Sequence, residues 1–168
     1  MATLDVLDHG RPVSVGFDDV VKYHGRSSIG GVALGFKAME RAWPLLDGGR
    51  PPERYDIEIE TAFRGPGARD AFEMVTRAVT GDRYRADDDL PGSGVAPEAP
   101  EGRFFFRFRY RGTVVELVLR PGHVDGDFIA LVRRPSRTPA EEARLVEMKE
   151  DMATRLMALS ADQVYDAR

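Results

Sequence analysis

The nine residues Arg103-Phe-Phe-Phe-Arg-Phe-Arg-Tyr-Arg111 decide the fold class. Aromatic side chains recur at every second position from Phe104 to Tyr110, and arginines alternate with them at positions 107, 109 and 111. A period of two predicts a β-strand with an aromatic core face and a basic outer face. Arg111-Gly112 predicts a tight turn into a second strand, Thr113–Leu119, so we expect a hairpin.

Upstream of this hairpin the pattern predicts one more strand and three helices. The strand is Tyr55–Thr61, where apolar and acidic residues alternate. Apolar spacings of three and four predict helices over 17–24, 29–43 and 71–79. For the second helix we expect Ser27 or Ser28 to act as the N-cap, and Pro44 to end the helix or kink its last turn.

The C-terminal third predicts a further strand and a long helix. The apolar run Phe128–Val132 is interpreted as the strand, and Thr138-Pro-Ala-Glu141 is the start of a capped helix over 138–160. Helices and strands are grouped rather than alternating, which predicts one α+β domain over residues 1–168. We expect a mixed or antiparallel sheet with helices mainly on one face.

Two segments show no sustained period. Residues 1–13 are expected to form an N-terminal arm. Residues 82–102 are rich in Pro and Gly, carry the acidic run Asp87-Asp88-Asp89, and are expected to form a flexible loop or a lid.

Composition narrows the functional classes. The 168 residues contain no cysteine, which excludes disulfides and thiolate metal sites. A net charge of −4 argues against nonspecific nucleic-acid binding, and no apolar run is long enough to cross a membrane. The first 16 residues show no secretion signal, so we expect a cytoplasmic protein with no nucleic-acid or membrane partner. Aromatics for base stacking would have to share a face with the arginines, and here they do not.

The densest polar stretch is Tyr23-His24-Gly25-Arg26-Ser27-Ser28, between two predicted helices. A helix N-terminus with an arginine and two hydroxyl groups suits an anion, and a nearby histidine can move a proton or bind a metal. The alternative is structural, with a serine capping one helix and His24 close to the C-terminal dipole of the other. We interpret the small residues Gly31 and Gly35 as a groove that admits another backbone, rather than as a phosphate loop.

Several segments resemble the FmdE-like family of formylmethanofuran dehydrogenase components. They are Phe17–Gly25 followed by Gly31–Met39, Ile57–Thr61 leading to Asp70-Ala71, and Thr138–Glu142 through Leu159–Tyr165, in the family's order. The resemblance implies the same fold, a homodimer, and a metal site whose first histidine corresponds to His24. The family's second histidine falls on Arg26, one cysteine on Ser28, and further cysteines near Arg64 and Ala78. Serine and arginine are poor ligands for the metals that thiolate and imidazole hold, so the metal site is expected to be lost.

We consider two functions from different classes. The first is a small-molecule or anion-binding accessory protein without a cofactor, with a pocket between the His24–Ser28 junction and the end of the Tyr55–Thr61 strand. The second is an enzyme acting on a small anionic or carbonyl metabolite, with His24 as acid or base. Substrate would be held by side chains from the junction and the strand end: Tyr23, Arg26, Ser27, Ser28, Glu60 and Arg64. A metal on His24 with an oxygen ligand such as Glu60 is the remaining alternative.

Overall fold

A five-stranded mixed sheet with strand order β4-β3-β5-β6-β7 forms the centre of the computed structural model, which describes residues 2–168. The strands are β3 (Ile57–Phe63), β4 (Tyr84–Ala86), β5 (Gly102–Tyr110), β6 (Thr113–Leu119) and β7 (Tyr165–Ala167), and a separate two-stranded sheet contains β1 (Thr3–Asp8) and β2 (Arg11–Gly16). The helices are α1 (Phe17–His24), α2 (Ile29–Leu46), α3 (Pro66–Thr76), α4 (Gly126–Arg133), α5 (Pro139–Ala158) and α6 (Ala161–Val164). The predicted α+β class is confirmed.

The aromatic face of β5 is the core of the molecule. Phe104, Phe106 and Phe108 are buried, and β5 pairs antiparallel with β3 on one side and β6 on the other. The ring of Phe72 from α3 meets Phe106 and Phe108 edge to face, with centroids 5.7 Å from each. These contacts place α3 on the inner face of the sheet, beside α2.

Helix α2 is the central helix, and its glycines allow α3 to pack very closely. A Cβ on Gly35 would lie 2.9 Å from the Ala68 Cα, and the Gly31 position faces the backbone of Gly67. The interpretation of Gly31 and Gly35 as a groove for another backbone is therefore confirmed. Helix α2 continues past Pro44 to Leu46. Ser28 is its N-cap residue, as one of the two predicted candidates, but the Ser28 side chain makes no capping hydrogen bond.

The predicted N-terminal arm is wrong for the residues that the structure describes. Thr3–Gly16 forms a hairpin whose turn uses positive φ angles at His9 and Gly10, and Leu4, Val6 and Val15 are buried. The hairpin was missed because its alternating apolar residues are divided between two short strands by the turn. Met1, the first residue of that expected arm, lies outside the described residues.

The segment predicted to be a flexible loop over 82–102 packs on the outer face of the sheet. It begins with β4, which pairs in parallel with β3, and it buries Leu90 and Ala96 against Phe105. Arg107 Nη2 donates a hydrogen bond to the Pro91 carbonyl at 2.6 Å, which ties the segment to β5. It therefore covers sheet surface rather than His24, and the prediction missed these contacts because they are long-range.

The apolar run Phe128–Val132 belongs to helix α4 and not to a strand. The Asp125 carboxylate caps α4 by accepting a hydrogen bond from the Phe128 N–H at 2.8 Å. A five-residue apolar run has no period long enough to distinguish the two structures, which explains the error. The capped C-terminal helix is confirmed as α5, where Thr138 and Glu141 exchange hydrogen bonds in a capping box.

Candidate functional site

A cavity of about 170 Å³ lies between the first turns of α2 and α3, helices α4 and α5, and the start of β5. Its lining is mostly apolar or backbone, and the residues are Ser28, Gly30, Gly31, Leu34, Phe63, Gly65, Pro66, Gly67, Pro100, Glu101, Phe104, Phe128, Val132, Lys149 and Met152. The cavity adjoins Ser28 on one side and the residues just after the Tyr55–Thr61 strand on the other. The sequence predicted a pocket in this region.

Backbone atoms form one wall of the cavity, because the glycines in the first turns of α2 and α3 carry no side chain there. A Cβ on Gly67 would lie 2.4 Å from the Ser28 carbonyl oxygen and 2.7 Å from the Val32 nitrogen, so only glycine permits this approach. Neither α2 nor α3 has a side-chain cap or an acidic residue in its first turn. The unpaired N–H groups of both first turns leave this wall with a positive partial charge.

Helix α4 covers the cavity with Phe128 and Val132. None of its residues is fully buried, so its position depends on its ends as well as on packing. Arg133 Nη2 donates to the Ala99 carbonyl at 2.8 Å, and Arg137 Nη1 donates to the Val132 carbonyl at 3.1 Å. Arg133 links α4 to the segment 82–102, which packs on the outer face of the sheet. Arg137 links α4 to the residues just before α5.

Lys149 supplies the positive charge in the lining. Its Nζ donates a hydrogen bond to the Ser27 carbonyl at 2.8 Å, and within residues 2–168 it forms no ion pair. Partial burial lowers the pKa of Lys149, and the nearby positive charge of Arg137 lowers it further while Glu142 opposes the shift. The lining also contains one carboxylate, that of the exposed Glu101.

His24 does not contribute to the lining of this cavity. It is the last residue of α1, its side chain is only 6% exposed, and its Nδ1 lies 2.7 Å from Asp70 Oδ2 on α3. Its Nε2 is buried and has no hydrogen-bond partner within the described chain. His24 therefore joins α1 to α3.

The other predicted site residues divide among several places. Arg26 makes a two-pronged ion pair with Glu150, at 2.9 and 2.6 Å, and the Tyr23 side chain is mostly exposed. Arg64 pairs with Asp88 at 2.8 Å. Only Ser28 lines the cavity, and Ser27 contributes there through its carbonyl group to Lys149.

Glu60 lies on the outer face of the sheet. Arg109 Nε donates to Glu60 Oε1 at 3.2 Å, and Arg107 lies at 3.5 Å from the same oxygen. The buried neighbours Ile59 and Thr61 point to the opposite face, toward the helices. Glu60, His24, Arg26 and Arg64 therefore do not converge on one pocket.

Sequence reasoning missed the contribution of α4 and α5 to the cavity. Phe128 and Val132 were assigned to a strand, which gave no reason to place them over the α2–α3 contact. Lys149 did carry a signal, because it follows Leu145 by four residues and precedes Met152 by three. That spacing puts a charged side chain on the apolar face of the predicted helix.

The chain matches no protein-family model and no curated protein. Over residues 2–168 no group of three or more His, Cys, Asp or Glu side chains could hold a metal ion. None of the helices described is both long and apolar enough to cross a membrane.

Proposed function

We propose that this protein is a binding module for a small, predominantly apolar molecule, held in the cavity under α4. The observation that carries the proposal is the cavity itself, a space of about 170 Å³ walled by apolar side chains and helix backbone. A dry apolar cavity of about 150 Å³ is large enough for a molecule such as benzene. The ligand is therefore expected to be of that size.

The resemblance to the FmdE-like family is consistent with this proposal and remains part of it. In that interpretation the protein is an accessory member that has exchanged the family's cysteine-based metal site for a ligand pocket. Ser28, which stands where the family has a cysteine, lines the cavity. The homodimer rests on the resemblance, and the cytoplasmic location rests on the composition.

The geometry does not favour the enzymatic alternative. That function requires His24, Arg26 and Arg64 around one substrate, whereas these side chains bind Asp70, Glu150 and Asp88 respectively. Each of these side chains already has a carboxylate partner, so binding a substrate would first require breaking that contact. We therefore propose that the protein binds its ligand without catalysing a reaction.

A variant that fills the cavity tests the proposal. Val132→Trp places an indole ring in the cavity, whereas Leu131→Trp is its matched control on the same helix, in the groove facing Met148. Each protein is dialysed against a cell extract, and the retained small molecules are measured by mass spectrometry.

We expect the wild type and Leu131→Trp to retain the same small molecules and Val132→Trp to lose them. Circular dichroism establishes that both variants are folded. If the folded Val132→Trp protein retains everything that the wild type retains, or if the wild type retains nothing, the cavity is not a ligand site.

A further inference from the structure

We infer that the ligand of this cavity is a small apolar carboxylic acid whose carboxylate binds the Lys149 ammonium group. This inference rests on the proposed function and adds the chemical class of the ligand. Lys149 is the cationic side chain in a lining that is otherwise mostly apolar. Lys149 is partly buried, and burial of an ammonium group is unfavourable to the extent that no anion or hydrogen-bond acceptor compensates its charge.

Comparison with Lys37 shows that Lys149 has a carbonyl partner but no carboxylate partner among the described residues. Lys37 is 3% exposed, and its Nζ contacts both Glu40 Oε2 at 2.7 Å and the Leu159 carbonyl at 2.6 Å. Lys149 Nζ has the equivalent of the second contact, to the Ser27 carbonyl, and lacks the first. Because an ammonium group has three N–H donors, Lys149 keeps donors that no described protein acceptor uses.

The charges nearest Lys149 also favour an anion from outside the protein, and the one carboxylate of the lining, Glu101, is exposed to solvent. Arg137 is close enough to add to the positive potential at Lys149, and Glu142 opposes it. Glu142 is engaged by Arg137, whose Nε donates to Glu142 Oε1 at 2.9 Å. The carboxylate of a bound ligand would compensate the ammonium group directly.

The cavity limits the size and the chemical character of the rest of this acid, apart from its carboxylate. Leu34, Phe104 and Phe128 form apolar walls that suit a ring or a short hydrocarbon chain. A space of about 170 Å³ leaves room for such a body together with one carboxylate. Benzoate and butyrate are therefore suitable probes, and benzyl alcohol and 1-butanol are their neutral counterparts.

Methyl NMR can observe binding at the cavity directly. Met152 is buried and lines the cavity, whereas Met148 lies in the groove on the other side of α4 and is the internal control. The protein is labelled with ¹³C at its methionine methyl groups, and Met152→Leu assigns the Met152 signal. Each probe is titrated, and the dissociation constant is taken from the shift of the Met152 signal.

We expect each acid to shift Met152 and not Met148, and to bind about tenfold or more tightly than its alcohol, since hydrogen bonds to charged groups are the strong ones. Lys149→Met should remove this preference for acids and leave alcohol binding unchanged. Lys22→Met, which removes an exposed lysine on α1, is the control for net charge and should behave as the wild type. If Lys149→Met does not fold, Lys149→Gln serves in its place, and the wild-type comparison of acid with alcohol stands by itself.

The outcomes separate this inference from the proposed function. If alcohols bind as tightly as acids, or if Lys149→Met leaves acid binding intact, the carboxylate inference is wrong and the cavity remains a ligand site. If none of the four probes shifts Met152, the proposed function fails as well.

Discussion

The contact between α2 and α3 depends on Gly67, and replacing it with alanine should be costly. The added Cβ would lie 2.4 Å from the Ser28 carbonyl oxygen, 2.7 Å from the Val32 nitrogen and 3.0 Å from the Gly31 carbonyl carbon. All three atoms belong to the backbone of α2 and its N-cap, so no side chain can rotate away. The two helices must separate, and their separation also deforms the cavity wall.

The size of the clash sets the expected energy. Heavy atoms in contact are usually about 3.5–4.0 Å apart, so relief requires a backbone shift of about 1 Å. Overpacking of a well-packed core costs about 1–3 kcal/mol, and a backbone clash belongs at the upper end of that range. Alanine is a better helix former than glycine by up to about 1 kcal/mol, which offsets only part of the cost. We expect a net loss of about 2–3 kcal/mol in the free energy of unfolding.

Urea unfolding monitored by circular dichroism measures this loss in the free energy of unfolding. Thermal unfolding should show a fall of about 4–12 °C in Tm for a protein of this size. Gly126→Ala is the matched control, because it also lies in the first turn of a helix and a Cβ there meets nothing within 4 Å. We expect Gly126→Ala to be neutral or stabilising. A Gly67→Ala protein within about 0.5 kcal/mol of the wild type would refute the reasoning from backbone contact.

Two further predictions concern polar side chains, the buried Arg54 and the partly buried Tyr84. Arg54 Nε and Nη2 donate to the Val75 and Met74 carbonyls at the end of α3, at 3.0 and 2.6 Å. Arg54→Met leaves those carbonyls without these donors and should cost about 2–3 kcal/mol in urea unfolding, whereas the exposed Arg50→Met should cause no measurable change. Burial raises the pKa of Tyr84 from 10.0 to about 12. Tyr84 therefore loses its proton at a lower pH in the unfolded state than in the folded state. The stability that its burial contributes is fully present below pH 10 and is lost as the pH rises toward 12. Between these limits the free energy of unfolding should fall more steeply for the wild type than for Tyr84→Phe, and equal slopes would contradict the assignment.

Strands β3, β5 and β6 and the long helices could be predicted because their patterns are long and local, whereas the three-residue strands β4 and β7 were not predicted. Alternation in Arg103–Arg111 and Tyr55–Thr61 assigns a core face by period alone, and these strands pair side by side in the structure. Helix α2 and helix α5 each carry an apolar stripe over several turns, and Thr138 and Glu141 mark the start of α5 in sequence. The sequence predicted a pocket between the His24–Ser28 junction and the end of the Tyr55–Thr61 strand, and of the predicted site residues only Ser28 lines the cavity under α4.

The candidate site could be predicted only in part because its walls come from distant parts of the chain. His24 was singled out for its chemistry, and the structure places its Nδ1 within hydrogen-bond distance of Asp70 Oδ2, in a contact between α1 and α3. Lys149 lies about 120 residues from the Ser27 carbonyl that it contacts, and no local pattern indicates such a pairing. A polar side chain becomes a candidate ligand group only when packing leaves it facing a cavity.

By itself the sequence determined the α+β class, the faces of β3 and β5, and the capped start of α5, because each depends on periodicity or on residues three or four apart. Tertiary structure decided that Phe128–Val132 is a helix over the cavity, that Thr3–Gly16 is a hairpin, and that the segment after β4 covers the sheet. These outcomes depend on which surfaces remain to be buried once the sheet and α2 have packed. That choice is made by the free energy of the whole molecule, so short segments without a strong period acquire their structure from their neighbours in space.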